Sequence, residues 1–529
     1  MTAATTLTKT EGPLASPMFR ALWIATIVSN IGTWMHDVGA GWLMTSLSPD
    51  PLMIALVQAA TTFPMFALAL PAGALADIVD RRRLLIGAQL FGLVAAAALA
   101  AITLSGFTDA WILLLFTAAI AIGAAFSAPA FQAIVPELVP GPALQQAVAL
   151  NSLGINIARA IGPALGGVII AASGPGAVFA INALSVLAVL TVLYRWRRHA
   201  PDRHLPAEHM VGAMRAGLRY AMRAPELQIV LIRSVGFFLF ASGLWALLPI
   251  IARRDLGLGP AGYGGLLTFM GLGAIAGAVI MPKLRGRLSA NKITLAASIL
   301  LAAAMAGLSL ASDFWTASAT LFVGGLAWIA MMASLNGGAQ ATSPAWVKAR
   351  ALAIYLLVFQ GSMTAGSTLW GSVASRIGVP TTLLAAAALL VVASLVLAWR
   401  FPLDGTSRLD LAPSAHWPTP IVDGDIEQDS GPVLVTIEYR VAADKVSEFF
   451  AAMQAMRRIR RRDGAIHWGV YEDTAQPGTV IEIFTVESWL EHLRQHDRVT
   501  NADRVLQETL RDFHGGDSPP VVRHFVTRR

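Results

Sequence analysis

The first 400 or so residues alternate between long apolar segments and short polar stretches. A helix that crosses a membrane needs about 20 consecutive, mostly apolar residues. Segments of this kind occur twelve times, in two sets of six. Their approximate limits are 20–46, 52–76, 84–105, 110–133, 144–172 and 176–194, then 226–250, 261–281, 292–311, 314–335, 350–373 and 380–399. The pattern predicts an all-α membrane protein with twelve transmembrane helices.

The spacing of apolar positions changes after Arg400. A polar linker with several prolines, 401–430, leads into 431–529, where strand-like and helix-like patterns follow in the order β-α-β-β-α-β. The first strand is expected at 433–441, and one helix is expected to cover the run from Trp489 to Phe513. This order predicts a soluble α+β domain with a ferredoxin-like fold.

The chain is therefore expected to consist of six parts. They are a cytoplasmic N-terminal tail (1–19), a six-helix bundle (20–194), a linker (195–225), a second six-helix bundle (226–400), a second linker (401–430) and the α+β domain (431–529). Within the first linker, Val211, Met214, Leu218 and Ala221 share one helical face, and arginines recur every fourth residue. This pattern fits a helix on the cytoplasmic membrane surface or a solvated linker helix.

Composition and charge support a membrane location. Only 13% of the residues are charged, and the mean hydropathy is +0.61, whereas soluble domains carry about 25% charged residues. Apart from Arg253, Arg254 and Arg376, the lysines and arginines of the predicted loops collect on one side of the membrane. The positive-inside rule places that side, and both termini, in the cytoplasm of a cell-membrane protein. The net charge of +7 is then explained by contact with the lipid bilayer, not by nucleic-acid binding.

Two kinds of chemistry are excluded or disfavoured by what the sequence lacks. There are no cysteines, which excludes disulfides, thiolate metal sites and cysteine nucleophiles. No Walker motif is present, which argues against ATP as the energy source.

The two sets of spans are related by an internal repeat. GALADIVDRRRL starts at Gly73, and GAVIMPKLRGRL starts at Gly277, an offset of 204 (277 − 73). The same offset relates GPALGG at Gly162 to GSTLWG at Gly366. Parallel six-helix repeats are the architecture of major facilitator transporters, which bind substrate between the two halves.

Two motifs make the resemblance to that superfamily specific. Gly73, Asp77, Arg81, Arg82 and Arg83 form a pattern that resembles the motif between its second and third spans. The resemblance implies a conformational latch between access states; a simple anchor of membrane topology is the alternative. In the predicted fifth span, the residues Gly162, Pro163, Gly166 and Gly167 resemble the motif associated with exporters, and they also suit close helix packing.

Further stretches resemble one branch of the superfamily. They are SNIGTWM (29–35), NSLGINIARAIGPALGG (151–167) and the region from Asn336 to Gly371. Residues 17–400 as a whole resemble enterobactin exporters, whose branch is also described as transmembrane secretion effectors.

His36 and Asp37 stand out in the first predicted span. Asp37 lies about 25 Å along a helix that starts at Arg20, in the outer half of a membrane core about 30 Å thick. A carboxylate at that depth costs about 3 kcal/mol, and burial favours its protonated form. We therefore predict that Asp37 carries protons and that His36 assists it. The alternative is that Asp37 is wetted from outside. The resembling branch more often has an uncharged polar residue near this position.

Arg159 is the second polar anomaly. It lies too deep in the fifth span to reach the membrane surface easily, so it needs a partner. Asp37 and Asn156 are candidates, and Asn156 is matched by Gln360 in the repeat. We predict a proton and substrate pathway of His36, Asp37, Asn156, Arg159 and Gln360. The alternative for Arg159 is a structural role on backbone carbonyls. Tryptophans 34, 42, 245 and 370 suit either an aromatic substrate or the membrane interface.

The C-terminal domain resembles the antibiotic-biosynthesis-monooxygenase-like family, by pattern more than by motif. That resemblance implies that residues 431–529 can dimerise. His492 and His496 lie four residues apart on one helix face and are expected to be solvated. No third ligand follows from the sequence, so we predict neither a metal nor another cofactor.

Together these features predict a secondary active transporter, a proton-coupled exporter of siderophore-like or drug-like molecules that works by alternating access, and not an enzyme. Two alternatives stay open at this point. One is a membrane-tethered monooxygenase-like enzyme whose active part is the C-terminal domain; the other is an importer on the same fold.

Overall fold

A computed structural model describes residues 12–139, 143–196, 210–404, 410–414, 416–417, 420, 426–427, 429–515 and 518–527. The chain forms two compact units. The first comprises Met1–Leu205, Arg233–Leu335 and Leu356–Pro402, and the second comprises Pro206–Ile232, Asn336–Tyr355 and Leu403–Arg529.

Long helices account for the apolar segments. In the first half they are α1 (Pro17–Leu47), α2 (Pro51–Ile78), α3 (Arg81–Leu104), α4 (Ala110–Leu138), α5 (Leu144–Ser173) and α6 (Pro175–Arg195). After α7 (Met210–Arg223), the second half has α8 (Pro225–Ile250), α9 (Pro260–Arg285), α10 (Ala290–Leu310), α11 (Phe314–Ala341), α12 (Lys348–Ile377) and α13 (Val379–Arg400). A π-helical turn, Ile251–Asp255, extends α8.

Local sequence signals fix where these helices begin. The Ser16 side chain accepts a hydrogen bond from the Phe19 amide, and the Asp50 side chain accepts one from the Leu52 amide. A proline follows each of these caps, where its missing N–H costs nothing. The helices therefore begin at the polar residues that precede the apolar runs.

By length and composition, eleven helices of the described residues could cross a membrane. Eleven of the twelve predicted spans are therefore confirmed as helices that could cross a membrane. The twelfth, α1, is a helix but is not apolar enough to be counted with them. α1 is 31 residues long, but Arg20, His36, Asp37 and several hydroxyl and amide side chains lower its hydropathy.

The internal repeat is visible in the structure. Gly174 separates α5 from α6 with φ of 79°, and Gly378 separates α12 from α13 with φ of 83°. These positive φ values favour glycine, and the two residues differ by the repeat offset of 204 (378 − 174). Helix packing repeats as well, because α3 packs on α6 as α10 packs on α13.

The second unit contains a four-stranded antiparallel sheet. Its strands are β1 (Val433–Arg440), β2 (His467–Glu472), β3 (Thr479–Val486) and β4 (Val521–Val526), in the order β2-β3-β1-β4. Helix α14 (Val446–Arg462) joins β1 to β2. Alternate residues of β1 and β3 are buried, and they pack against α14 to form a core. This core contains Phe449 and Met453 of α14 and Phe484 of β3.

One predicted helix of this unit is wrong. The run from Trp489 to Phe513 forms two helices, α15 (Trp489–Arg498) and α16 (Asn501–Arg511). Thr500 separates them, because its side chain caps α16 while the Asp503 side chain accepts a hydrogen bond from the Thr500 amide. This reciprocal cap starts a new helix inside a run that looks continuous in its apolar spacing.

The apolar face predicted for α7 packs only in part within the second unit, and its contact with a membrane surface stays a prediction. Leu218 is 54% exposed, whereas Ala216 and Tyr220 are buried with Ala221. Small residues and one tyrosine form the packed face, and the side chain of Val211 lies outside the described residues.

Candidate functional site

The two halves of the first unit meet at glycines that the repeat relates. In α5, Gly167 lies against the start of α9, where an added Cβ would be 2.6 Å from the Pro260 carbonyl oxygen and 3.1 Å from the Gly264 Cα. In α12, Gly371 lies against the start of α2, with an added Cβ 3.2 Å from the Leu52 Cα. The fifth helix of each half therefore packs on the second helix of the other half.

The other residues of the span-five motif bring α5 against α1. An added Cβ on Gly162 would be 3.2 Å from the Ile31 carbonyl oxygen, and one on Gly166 would be 3.1 Å from the Met35 Cα. Pro163 is buried within α5, and its carbonyl oxygen faces Gly264. The motif thus allows α5 to contact α1 on one side and α9 on the other.

Polar contacts link the halves where α1 ends and α2 begins, and we call this the closed end. Arg253 donates hydrogen bonds to the hydroxyl groups of Thr45, at 2.9 Å, and Ser46. Across the other pair of helices, Ser375 donates a hydrogen bond to the Asp50 carboxylate. Deeper along the same helices, the Thr62 and Thr364 hydroxyl oxygens are 2.8 Å apart.

His36 and Asp37 lie side by side on α1. His36 is 2% exposed, and its ring centroid is 4.8 Å from that of Phe179. Neither ring nitrogen of His36 has a hydrogen-bond partner in the described part of the chain. Asp37 is half-buried and interacts electrostatically with Tyr263 of α9. The charge of Asp37 therefore acts on a residue of the second half that the sequence did not suggest.

Arg159 lies over the Trp34 ring, with its guanidinium carbon 5.4 Å from the ring centroid. Within the described ranges it forms no ion pair with Asp37, so the predicted coupling is not a contact in this conformation. The Asn156 side chain donates to the Ser152 carbonyl instead, at 2.9 Å. Gln360 is half-buried on α12. Of the predicted pathway, the structure places Arg159 beside an aromatic ring and not beside an acid.

A small cavity adjoins Arg159. Its volume is about 10 Å³, and it is lined by Trp34 and Arg159 from the first half and by Trp245, Met270 and Trp328 from the second. This volume holds roughly one water molecule. The cavity lies where the two halves face each other.

The arginines of the motif between α2 and α3 bind helix ends within the first half. Arg81 forms an ion pair with Glu137 at 2.8 Å, and Arg82 donates to the carbonyl oxygens of Leu193 and Tyr194, both at 2.8 Å. Cations at helix C-termini are stabilised by the helix dipole. The Arg83 amide is capped by Asp80. These contacts tie α3 to the ends of α4 and α6.

The motif also shows what sequence reasoning missed. Glu137 and Asp80 were not predicted, although an acid directly before three arginines is a recognisable helix cap. Among the described residues, no atom lies within 4 Å of a Cβ added to Gly73. The side chain of Asp77 lies outside the described residues.

The C-terminal part of the second unit has a buried ion pair. The Arg460 guanidinium donates two hydrogen bonds to the Glu482 carboxylate, at 2.9 and 3.1 Å, and the Trp468 indole donates a third at 2.9 Å. The two charged side chains are 5% and 0% exposed. Trp417, from the linker, covers the Arg460 guanidinium with its ring centroid 5.0 Å away.

Three histidines lie beside this ion pair. His492 is 1% exposed, so the expectation that it is solvated is wrong. Strand β4 places His524 over the face of α15 that carries His492, and the ring centroids of these two histidines are 4.6 Å apart. The sequence could not show this contact. Burial, reinforced by the charges of His524 and His496, lowers the pKa of His492 to about 3. No group of three ligands suited to a metal ion occurs among the described residues.

Helix α7 packs on the C-terminal domain within the second unit. Arg219 donates to Glu491 at 3.2 Å, and Arg498 donates to the same carboxylate at 2.6 Å. Burial opposes ionisation of Glu491, but these arginines hold its pKa below the usual value. Tyr220 donates to the Thr342 carbonyl at 2.6 Å. The domain, α7 and the α11–α12 connection are thus joined by specific contacts.

The bundle of paired six-helix halves is the fold of a major-facilitator-type membrane transporter. The family model described as transmembrane secretion effector matches residues 8–529, and the chain belongs to that family.

Curated relatives share low sequence identity with this chain. The staphyloferrin A transporter of Staphylococcus aureus is 26% identical over 48% of this chain and 64% of its own length. The enterobactin exporter EntS of Escherichia coli O1:K1 / APEC is 25% identical over 51% of this chain and, again, 64% of its own length. The multidrug efflux pump Tap of Mycolicibacterium fortuitum is 24% identical over 71% of this chain and 92% of its own.

Solved structures show the same fold. A bacterial homolog of the human lysosomal transporter Spinster, inward-facing and unoccupied, has a TM-score of 0.60 at 15% identity, covering 76% of this chain and all of its own. A POT family transporter with a thioalcohol-conjugated peptide has a TM-score of 0.61 at 12% identity, covering 72% and 95%. The curated relatives are transporters by their printed names, and the solved structures show that this chain has a transporter fold.

Proposed function

We propose that this transporter exports small molecules, siderophore-like or drug-like, by proton-coupled alternating access. The observation that carries the proposal is the pair of repeat-related contacts at Gly167 and Gly371 beside a cavity lined by both halves. Such an arrangement lets one half rock against the other around a central site. Export is supported by the printed functions of EntS and Tap.

The proposed orientation follows from the charged loops. With twelve spans, α1 included, the positive-inside rule puts both termini in the cytoplasm and the closed end outside. The contacts of Arg253 and Ser375 then close the outer side. Arg81 and Arg82 lie on the cytoplasmic side, where their contacts hold α3, α4 and α6 together. We assign the motif between α2 and α3 the role of keeping the first half rigid while that half moves against the second.

Asp37 is the proposed proton carrier, with His36 next to it. Support comes from its place on α1, half-buried and close to Tyr263 of the opposite half. A carboxylate that gains or loses a proton changes the cost of burying it. Its protonation would thereby favour one arrangement of α1 and α9 over the other.

The C-terminal domain is proposed to be a ferredoxin-like module of the antibiotic-biosynthesis-monooxygenase-like kind. The strand order β2-β3-β1-β4 and the helices between the strands support this fold. We assign it a regulatory or dimerising role on residues 431–529, because its contacts with α7 reach the connection between the halves.

Proton–substrate antiport in everted membrane vesicles tests the function. Collapse of an imposed pH gradient would be followed across siderophores and drugs for the wild type, Asp37→Asn and the control Asp109→Asn. Asp109 caps α4 from an exposed loop, so its loss should spare transport. Export predicts a substrate-dependent collapse that survives Asp109→Asn and is lost in Asp37→Asn.

Two results would contradict parts of the proposal. A collapse that persists in Asp37→Asn would remove Asp37 from proton coupling. Uptake into right-side-out vesicles, with no collapse in everted ones, would make the protein an importer.

A further inference from the structure

The cavity between the halves contains hydrogen-bond donors that have no acceptor. The Nε of Arg159 and the indole Nε1 of Trp245 are both buried, and neither has a partner among the described residues. Both side chains line the cavity. Buried donors without acceptors are costly and rare in folded proteins. Two of them at one cavity can offer hydrogen bonds from opposite halves to a single acceptor.

A second arginine, Arg253, also contacts a tryptophan ring, but it forms hydrogen bonds as well. Arg253 lies over Trp42, with its guanidinium carbon 5.3 Å from the ring centroid, in the same way that Arg159 lies over Trp34. Arg253 also donates hydrogen bonds to Thr45 and Ser46. Among the described residues, Arg159 has only the aromatic contact. Contact with tryptophan thus does not replace hydrogen bonding, and the donors of Arg159 stay available.

The acids nearby do not neutralise Arg159. Asp37 belongs to the same helix as Trp34 but interacts with Tyr263, and it forms no ion pair with Arg159 within the described ranges. No carboxylate occurs among the described residues that line the cavity. The cavity therefore carries one positive charge, on Arg159, and two unpaired donors. The positive charge attracts anions and repels cations.

The rest of the lining is aromatic. Trp245 and Trp328 lie edge to face with ring centroids 5.4 Å apart, and Trp328 also contacts Phe238. Trp34 completes the wall on the side of the first half. Flat indole surfaces favour planar groups, through offset or edge-to-face contact.

The geometry points to a binding site for a planar aromatic anion, a carboxylate or phenolate, that accepts hydrogen bonds from Arg159 and Trp245. This inference rests on the proposed function, because it names the substrate class of the same central site. It selects anionic, aromatic siderophore-like compounds over cationic drugs. Since the two donors belong to opposite halves, a bound anion also links the halves.

The size of the cavity sets the order of events. A volume of about 10 Å³ cannot hold such a compound, since pockets for small molecules measure about 300 Å³ or more. The halves must therefore separate before the anion binds. In the conformation described, the side chains that line the site, Arg159 and Trp245 among them, leave no room for such a compound.

Binding of 2,3-dihydroxybenzoate by the full-length protein in lipid nanodiscs tests the site. Equilibrium dialysis would compare this anion with its uncharged amide, 2,3-dihydroxybenzamide. We expect the wild type to prefer the anion by about tenfold or more, as for a hydrogen bond to a charged group. Arg159→Gln should abolish that preference, and Arg159→Lys should keep part of it. The control Arg376→Gln, which removes an exposed arginine in the last turn of α12, should keep all of it.

An equal affinity for anion and amide in the wild type, or the same preference in Arg159→Gln, would overturn the site. If Arg159→Gln does not fold, Trp245→Phe still tests it. That variant keeps the ring and loses the donor, so affinity for the anion should fall several-fold; unchanged affinity would refute the role of Trp245. The assay needs no proton gradient. Anion preference without antiport would therefore refute the exporter and leave the site standing.

Discussion

The contact between Gly167 and the start of α9 limits how closely the two halves approach at the closed end. In Gly167→Ala, the new methyl group would lie 2.6 Å from the Pro260 carbonyl oxygen and 3.1 Å from the Gly264 Cα. Ordinary contact begins near 3.4 Å, so the backbone must move by most of an ångström. Overpacking of this kind costs about 1–3 kcal/mol. If only the closed arrangement bears this cost, its population relative to the separated one falls by about 5- to 150-fold.

Disulfide trapping measures this population. The chain has no cysteine, so Thr62→Cys with Thr364→Cys introduces the only pair. The hydroxyl oxygens that the sulfurs replace are 2.8 Å apart, close to the S–S bond length of about 2.05 Å. The pair should cross-link rapidly under mild oxidation, and Gly167→Ala should slow the cross-linking by the factor above.

Gly87→Ala is the matched control, because Gly87 is exposed on α3 and an added Cβ there meets no described atom within 4 Å. It should leave the cross-linking rate unchanged. The reasoning is refuted if Gly167→Ala cross-links as fast as its parent, or if Gly87→Ala slows the reaction equally.

Two predictions concern the C-terminal domain in the full-length protein. Glu482→Gln leaves the buried charge of Arg460 unpaired, which should lower the free energy of unfolding by about 3–5 kcal/mol. Urea unfolding followed by tryptophan fluorescence measures this change. Glu508→Gln, which breaks an exposed ion pair with Arg504, is the control, and equal effects of the two substitutions would contradict the burial argument. Because burial and its histidine neighbours lower the pKa of His492 from 6.5 to about 3, only the unfolded state binds this proton as the pH falls below 6.5, so folding should weaken by about 1.4 kcal/mol at pH 5.5. His492→Gln should remove that part of the acid sensitivity and the exposed His467→Gln should not; identical pH profiles for both would rule out His492 as its source.

The sequence predicted the helices of the bundle and their repeat, because apolar length and a constant offset are properties of the chain itself. It did not predict the partner of Arg159. Which residue faces Arg159 depends on the rotation of α1, and that rotation is set by glycine contacts between helices. The same reason applies to Asp37, whose neighbour Tyr263 comes from the other half. Apolar spacing could not predict the helix cap at Thr500, because the cap depends on a local hydrogen bond. It also could not predict the burial of His492, because that burial depends on a strand distant in the sequence.

The polar character of α1 has a consequence for how the protein is made. Among the helices described, α1 leaves the ribosome before α2 to α13, yet it falls short of the apolar character of a span. Its buried His36 packs on Phe179 of α6, which is not synthesised until α2 to α5 have followed. Until then the cost of its polar groups, about 3 kcal/mol for a single carboxylate, is not offset by native contacts. Stable insertion of α1 must therefore wait for later helices, so the amino-terminal half is assembled as a group and not span by span.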